Sequence, residues 1–336
     1  MLILPGDVAA QIQKRSHEII GERYGERQVE NVIPRLFEVL PVSEMSHGHY
    51  HRETLEVAEG YDVREMGEKI DAKTIREEIT ALCKLRFVAG YYEIPREMLE
   101  YVKLGQDRAF MDMQSWAASK ASVFADKRFD TEQTEAAKFF SRGGYTAGDP
   151  IFNNTPKGGE SDSGGDFPHT GKPLFALTGN NWTNTNGSTY FNSVALNLTA
   201  TNLGTLENRQ ADSNGYTQMG ERLNTMPNVL WCGQSLRQTA EQIVNARALA
   251  GVTDNDANPY SSYEIVIHPY ITDTDAWGLG KARTGIRWFQ DDRAPTVELG
   301  YHPQKRTDCL VIQSAFGLYV RPHGQHYWSA SNLSTS

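Results

Sequence analysis

Hydrophobic and polar positions change their spacing several times along this chain, and each change marks an element. Val8, Ile12, Ile19 and Ile20 fall at helical intervals and predict a short amphipathic helix over 7–25, with Asp7 after Pro5-Gly6 placed to cap it. Residues 32–42 hold Pro34 and Pro41, which limit a helix and predict an extended segment. From 46 to 78 the charges are dense and the apolar residues sparse, so this stretch reads as a projecting hairpin or loop. Residues 79–94 then alternate in part, with Ile79, Leu82, Leu85, Phe87 and Tyr91 set against Thr80, Lys84 and Arg86, which predicts a strand.

After Pro95 the period becomes helical. Phe110, Met113, Ala117, Ala121 and Phe124 predict a long spine helix ending near Phe124, followed by a second helical piece over 131–141. Residues 142–170 are a Gly/Ser-rich loop and 171–177 a short strand. The stretch 178–228 holds eleven asparagines, residues that favour turns and caps, with a helix at 199–210 turning Leu203 and Leu206 inward. Further on, 228–233 reads as a strand. A helix over 235–251 is capped by Ser235 and ended by Gly251, and Ile265, Val266 and Ile267 mark a buried strand over 263–271. Three more strands follow in GIRWFQ, PTVELGYH and DCLVIQSAFGLYVRP. The mixture is α+β, without internal repeats or sustained heptads.

Composition narrows the function. The formal charge is -9, from 33 basic and 42 acidic residues, and no basic block is present; tight binding to a polyphosphate needs clustered Lys and Arg. Cys83, Cys232 and Cys309 are odd in number, far apart and without a CxxC pair, which suits reduced thiols in an intracellular protein. The opening MLIL is too short for a signal-peptide core, and no apolar run reaches the roughly 20 residues that span a bilayer.

Four motifs suggest chemistry, and each departs from what that chemistry needs. Asp162-Ser163-Gly164-Gly165 resembles a serine-protease nucleophile segment, but Ser161 and Asp166 flank it where Gly and Pro belong, and an Ala-His-Cys segment is absent. Gly171-Lys172 fails the phosphate-loop spacing, and Pro173 stands where a magnesium-binding hydroxyl belongs. Asp254, Asp256 and Asn258 match the first calcium-loop ligands, but Pro259 replaces the required glycine and Ile265 the bidentate glutamate. His47, His49 and His51 would share one face of a strand, yet no fourth metal ligand is evident. No catalytic residue, metal site or cofactor is assigned.

The order of elements resembles the major capsid protein fold of tailed bacteriophages, the Hong Kong 97-type fold, and more narrowly the Mu-like major head subunit group. Four segments carry the resemblance. CKLRFVAGYYEIPREMLE is similar to the end of the family's extended loop entering the spine helix. GKPLFAL with its Asn-rich sequel is similar to the segment after that helix. GERLNTMPNVLWCGQSLRQTAEQIV is similar to the family's glycine, leucine, proline, strand and helix run, and EIVIHPYITDTDAWGL, with Pro269 and Trp277, to the strand–proline–tryptophan segment of the axial domain. The C-terminal AFGLYVRPHGQHYW is similar to the group's last strand but lacks its charged ending.

The resemblance implies an N-terminal arm (1–45), an extended hairpin loop (46–93), a peripheral domain with the spine helix (94–225), an axial domain (226–304) and a return to the peripheral domain (305–336). It further implies a shell-forming, non-enzymatic subunit whose main partner is itself, in hexamers and pentamers. Portal, scaffold and decoration proteins are further candidates. The shell, part of a virion assembled in the host bacterial cytoplasm, would enclose double-stranded DNA without reading its sequence and without a membrane. Leu36, Phe37, Val39, Leu40, Tyr50, Tyr61 and Trp277 are the candidate interface residues. Ordering each residue of an arm or loop costs about 1–2 kcal/mol, and residues 1–78 hold too few apolar side chains to offset that alone, so burial against neighbouring copies is expected. The alternatives are an encapsulin-type compartment shell, a hydrolase using Ser163, and a tail or adhesion protein built on the Asn-rich stretch.

Overall fold

The computed structural model describes residues 6–46, 50–58, 75–105, 107–141, 174–175, 182–183, 189–190, 192–216, 222–246, 258–292, 295–302, 307–321 and 324–333. Helix α1 (Gly6–Glu26) is followed by one helical turn, α2 (Ile33–Leu36), and strand β1 (Glu38–Pro41). The segment read as wholly extended therefore contains a turn of helix. Pro34 sits in its first turn, where a missing N–H costs nothing. Strands β2 (Tyr50–Ala58) and β3 (Ile75–Lys84) form an antiparallel ribbon, which passes through Leu85 into β4 (Arg86–Glu93).

The strand reading of 79–94 has its phase inverted within β4. Val88 and Tyr92 pack on the core, whereas Phe87 is 65% exposed and Tyr91 38%. Helix α3 (Arg96–Lys103) ends at Gly105, whose φ of 72° is the left-handed conformation that glycine supplies at a helix end.

The spine is a single helix, α4 (Asp107–Ser141), of 35 residues and about 50 Å. The expected break after Phe124 is absent. Met113, Ala117, Ala121, Phe124, Ala125, Phe129, Ala136, Ala137 and Phe140 form one buried stripe, interrupted by Arg128 and Glu132, which are also buried. Those two charged residues disguise the stripe in the sequence.

Helix α1 lies alongside α4, running in the same direction. Gln114 donates to Gln11 (3.4 Å), Arg23 to Asp126 (3.1 Å) and Arg27 to Asp130 (2.9 Å). Ile12, Ser16 and Ile20, four residues apart, are buried against the spine. This corrects the expectation that the arm must find its burial on another copy, because its first helix finds it within the subunit.

Downstream come the short ribbon β5 (Trp182–Thr183) and β6 (Thr189–Tyr190), then β7 (Ser193–Val194) and α5 (Ala200–Asn208). Thr199 caps α5 by accepting from the Asn202 N–H (3.2 Å), and Leu203 and Leu206 are buried as expected. After β8 (Val229–Gly233) comes α6 (Arg237–Val244), shorter than the predicted 235–251 and without a cap bond from Ser235. The remaining strands are β9 (Glu264–His268), β10 (Trp277–Gly280), β11 (Ile286–Gln290), β12 (Thr296–His302), β13 (Thr307–Val320) and β14 (Trp328–Ser331).

Two five-stranded sheets organise these elements. In the first, β13 pairs with β11 and β12 along one edge and with β4 along the other, and β1 pairs in parallel outside β11. The second has the order β7-β14-β10-β8-β9. The segment read as one return, 305–336, thus divides: β13 lies in the first sheet and β14 in the second. Residues 193–194, placed by the sequence reading with the peripheral part, also pair in the second sheet.

An aromatic core of Phe37, Phe140, Phe175, Trp231, Trp288 and Trp328 joins the sheets, the spine and the arm. Gly278 on β10 shows how tightly the second sheet is packed, since a Cβ there would stand 2.1 Å from the Ser329 carbonyl oxygen and 2.5 Å from the Trp231 ring.

Several asparagines of the polar stretch act as internal joints. The Asn192 side-chain amide lies 2.8–3.1 Å from the carbonyls of Leu174, Gln325 and Trp328. Gln210, in a π-helical turn after α5, donates to the Thr225 and Tyr327 carbonyls and accepts from the Ser329 hydroxyl. Such bonds satisfy buried backbone that no ladder reaches.

Candidate assembly surfaces

Three of the interface residues expected from sequence lie in the subunit's own core. Leu36 and Phe37 are buried in the aromatic cluster between the sheets, because the α2 turn rotates them inward. Trp277 is buried on β10 between β8 and β14, and its indole N–H donates to the Leu196 carbonyl at 2.9 Å. These residues hold one subunit together and are not surface available to a second. Val39 is 39% exposed on β1, the outermost strand of its sheet, and Leu40 is partly buried. Tyr50 begins β2, opposite Lys84. Tyr61 lies outside the described residues, as do His47, His49, Ser163, Lys172, Asp254 and Asp256.

His51 and Asn258, the described members of two tempting motifs, have local roles. His51 accepts the Ser46 N–H at its Nδ1 (3.2 Å) and sets its ring 5.0 Å from Phe289 and 5.5 Å from Tyr319. The Asn258 amide lies 2.7–3.1 Å from the carbonyls of Ile243, Val244 and Ala246, while its Oδ1 accepts the Tyr260 N–H (3.0 Å). It thus closes the end of α6, which explains why that helix stops at Val244 rather than near Gly251. Asn258→Ala is expected to lower stability by about 1–3 kcal/mol, the cost of stranding those carbonyls, read as a shift in denaturant midpoint at unchanged slope. Among the described residues no group of three His, Cys, Asp or Glu could hold a metal ion, and no helix is long and apolar enough to cross a membrane.

The outer face of the first sheet carries features the sequence reading missed. At the β11 end it is covered by the root of the β2–β3 hairpin. Cys83 and Leu85 pack there with Val42, Met45, Phe289 and Tyr319. Beside them Glu53, on β2, meets three elements of the body. Arg321 donates to it from Nη2 (2.7 Å) and Nε (3.0 Å), the Tyr319 hydroxyl donates at 2.7 Å and Arg287 Nη1 at 3.2 Å. Arg287 also donates to Glu38 on β1 at 2.6 Å. Burial raises the Glu53 pKa, but the hydrogen bonds from Arg321 and Tyr319 and the two guanidinium charges outweigh it, leaving the carboxyl below its ordinary value. Burial and the nearby Glu53 carboxylate raise the Tyr319 phenol.

Away from the hairpin root the same face is open, with Phe87 and Tyr91 standing out from β4. Tyr101 on α3, Leu104 between the two helices and Met111 on α4 are also exposed, Leu104 at 72%. The reversed phase of β4 hid Phe87. A strand is read by which residues alternate, and only the packed helix decides which side is inward.

The described residues form two five-stranded sheets against a long helix, with the β2–β3 ribbon attached to the first sheet. Residues 173–320, a little under half of the chain, match the family model described as phage capsid protein.

Solved structures similar to the chain include the capsid of the cyanophage P-SCSP1u, at 11% identity over 92% of this chain and 88% of that one, with a TM-score of 0.45. A structure from Microbacterium phage Oxtober96 is similar at 11% identity over 88% of this chain and 89% of that one, with a TM-score of 0.43. A virus-like particle from Pyrococcus furiosus is similar at 9% identity over 96% and 99%, TM-score 0.41. No curated protein sequence matches the chain.

Proposed function

We propose that this protein is the major head subunit of a tailed phage or prophage, of the Mu-like group, assembling as pentamers and hexamers into an icosahedral shell around double-stranded DNA. In this reading the β2–β3 hairpin lies over an adjacent copy, and the region around 226–304 meets its neighbours at the capsomer axis. Portal, scaffold and decoration proteins would be secondary partners, the assembled form would be the virion capsid, and assembly would take place in the host cytoplasm. No active site is assigned.

The observation behind the reading is the family match over 173–320 on a chain that also projects a two-stranded ribbon. Such a ribbon is marginal on its own in water. The side-chain contacts of the ribbon with the body described above gather at its root, at His51 and Glu53, and a second surface along its length would supply further burial. The acidic balance suits a container, because strong attraction to DNA on an inner wall would oppose its packing and release.

Size-exclusion chromatography of the purified protein, with negative-stain microscopy of the earliest fractions, tests the proposal. Hollow shells or five- and six-membered rings are expected. A protein that stays monomeric or dimeric across salt and crowding titrations would overturn it.

A further inference from the structure

We propose that Glu53 is the residue that sets the direction of the β2–β3 hairpin relative to the body, acting as a latch between β2 and the first sheet. The ribbon runs directly into the sheet through Leu85 between β3 and β4, whereas β2 is reached from β1 of the same sheet only after residues 42–49. A ribbon joined directly through one strand can swing about that junction, so its direction also depends on what holds the other strand. Packing of Cys83, Leu85 and the His51 ring on Phe289 and Tyr319 resists separation but sets direction less sharply than charge-assisted hydrogen bonds do.

Glu53 supplies the direction. One carboxylate oxygen takes both donors of Arg321, and the other takes the Tyr319 hydroxyl and Arg287. Its partners come from β11, from β13 and from the residue after β13, while Glu38 on β1 holds Arg287 from the far side. Charge-assisted bonds of this kind fix geometry as well as adding attraction.

Leverage makes the latch consequential. The nine residues of β2 extend about 30 Å, so a root rotation of about 10° would carry the far end through about 5 Å, more than the tolerance of a packed contact between side chains. Two predictions separate a latch from a general stabiliser. In the unassembled fraction of full-length Glu53→Gln, amides of 50–58 and 75–84 are expected to exchange at least about tenfold faster than in the parent, the factor set by losing charge-assisted hydrogen bonds. Amides of β8 and β10, in the second sheet, are expected to be unchanged.

Glu38→Gln, which alters the same arginines from the body side, is expected to leave hairpin exchange within about threefold of the parent, on the same scale of bond strengths. Acid should reproduce the Glu53→Gln result. A carboxyl whose pKa is depressed on folding stabilises above its ordinary value of 4.5 and loses that contribution as pH falls through the lower folded value.

Unchanged hairpin exchange in Glu53→Gln would overturn the proposal, as would an equal rise throughout the chain or an equal effect from Glu38→Gln. The latch is a property of one subunit; its consequence for shell shape rests on the capsid reading. Failure of the parent protein to form shells would remove that reading and leave the exchange result standing.

Discussion

Replacing Phe140 by alanine is expected to destabilise the subunit by about 3–5 kcal/mol, the range for truncating a fully buried aromatic ring. Phe140 lies at the end of the spine helix and is completely buried. Its ring centroid is 4.9 Å from that of Trp231, 5.5 Å from Trp328, 5.8 Å from Phe37 and 6.4 Å from Phe175. These partners belong to β8, to β14, to the residue joining α2 to β1 and to the segment after the spine. One side chain therefore connects the helix, the second sheet and the arm. The cavity would be walled by four large rings that cannot all collapse into it, which places the cost high in the range. Denaturant unfolding checks this by the shift in midpoint. A change below about 1 kcal/mol would mean that the spine's end is not part of the shared core, because full burial and four ring contacts could not then be real.

The second large effect is expected at Glu132. This carboxylate is buried on the spine helix and accepts from Arg128 Nε at 2.8 Å, from the Tyr24 hydroxyl and from the Gln290 amide at 3.4 Å. Arg128 is buried too and lies 4.5 Å over the Tyr24 ring. Glu132→Ala would leave the guanidinium without its counter-charge in the interior, at a cost of about 3–5 kcal/mol. The double variant Arg128→Met, Glu132→Leu removes both charges and restores volume, so it is expected to recover most of that loss. Denaturant midpoints of the two variants decide the matter. If the double variant is as unstable as the single one, the damage comes from lost packing with Tyr24 and Gln290 rather than from a stranded charge.

Both sites show why part of this fold was readable from the chain and part was not. Periodicity located the spine helix through Met113, Ala117, Ala121 and Phe124, but stopped it early because ADKRFD looks like a polar break. Its helical continuation depends on Arg128 and Glu132 finding each other and Tyr24, a partner more than a hundred residues away. Helix α5 was legible through Leu203 and Leu206, which lie within a turn of one another, while its Thr199 cap was not singled out. Helix α6 was over-extended because the amide that ends it comes from Asn258, fourteen residues beyond Val244.

The candidate surfaces divide in the same way. The polar composition of 46–78 suggested a hairpin or loop, and Tyr50–Ala58 does pair antiparallel with Ile75–Lys84. Leu36, Phe37 and Trp277, taken as interface residues of the arm and the axial domain, proved to be interior, and Phe87 proved to be exposed.

By itself, the sequence determined the class of this protein: an α+β chain with an arm, a polar hairpin, a spine helix and a run of late strands, acidic and without a credible catalytic motif. Those properties follow from local spacing and composition, which short-range geometry reads directly. The tertiary structure alone decided that α1 is bound to its own spine, that β13 and β14 part to different sheets, and which face of β4 looks outward. It also brought Glu53 to Arg287, Tyr319 and Arg321. Each of these depends on groups far apart in the chain, and a pattern along one strand or helix holds no information about what will be packed against it.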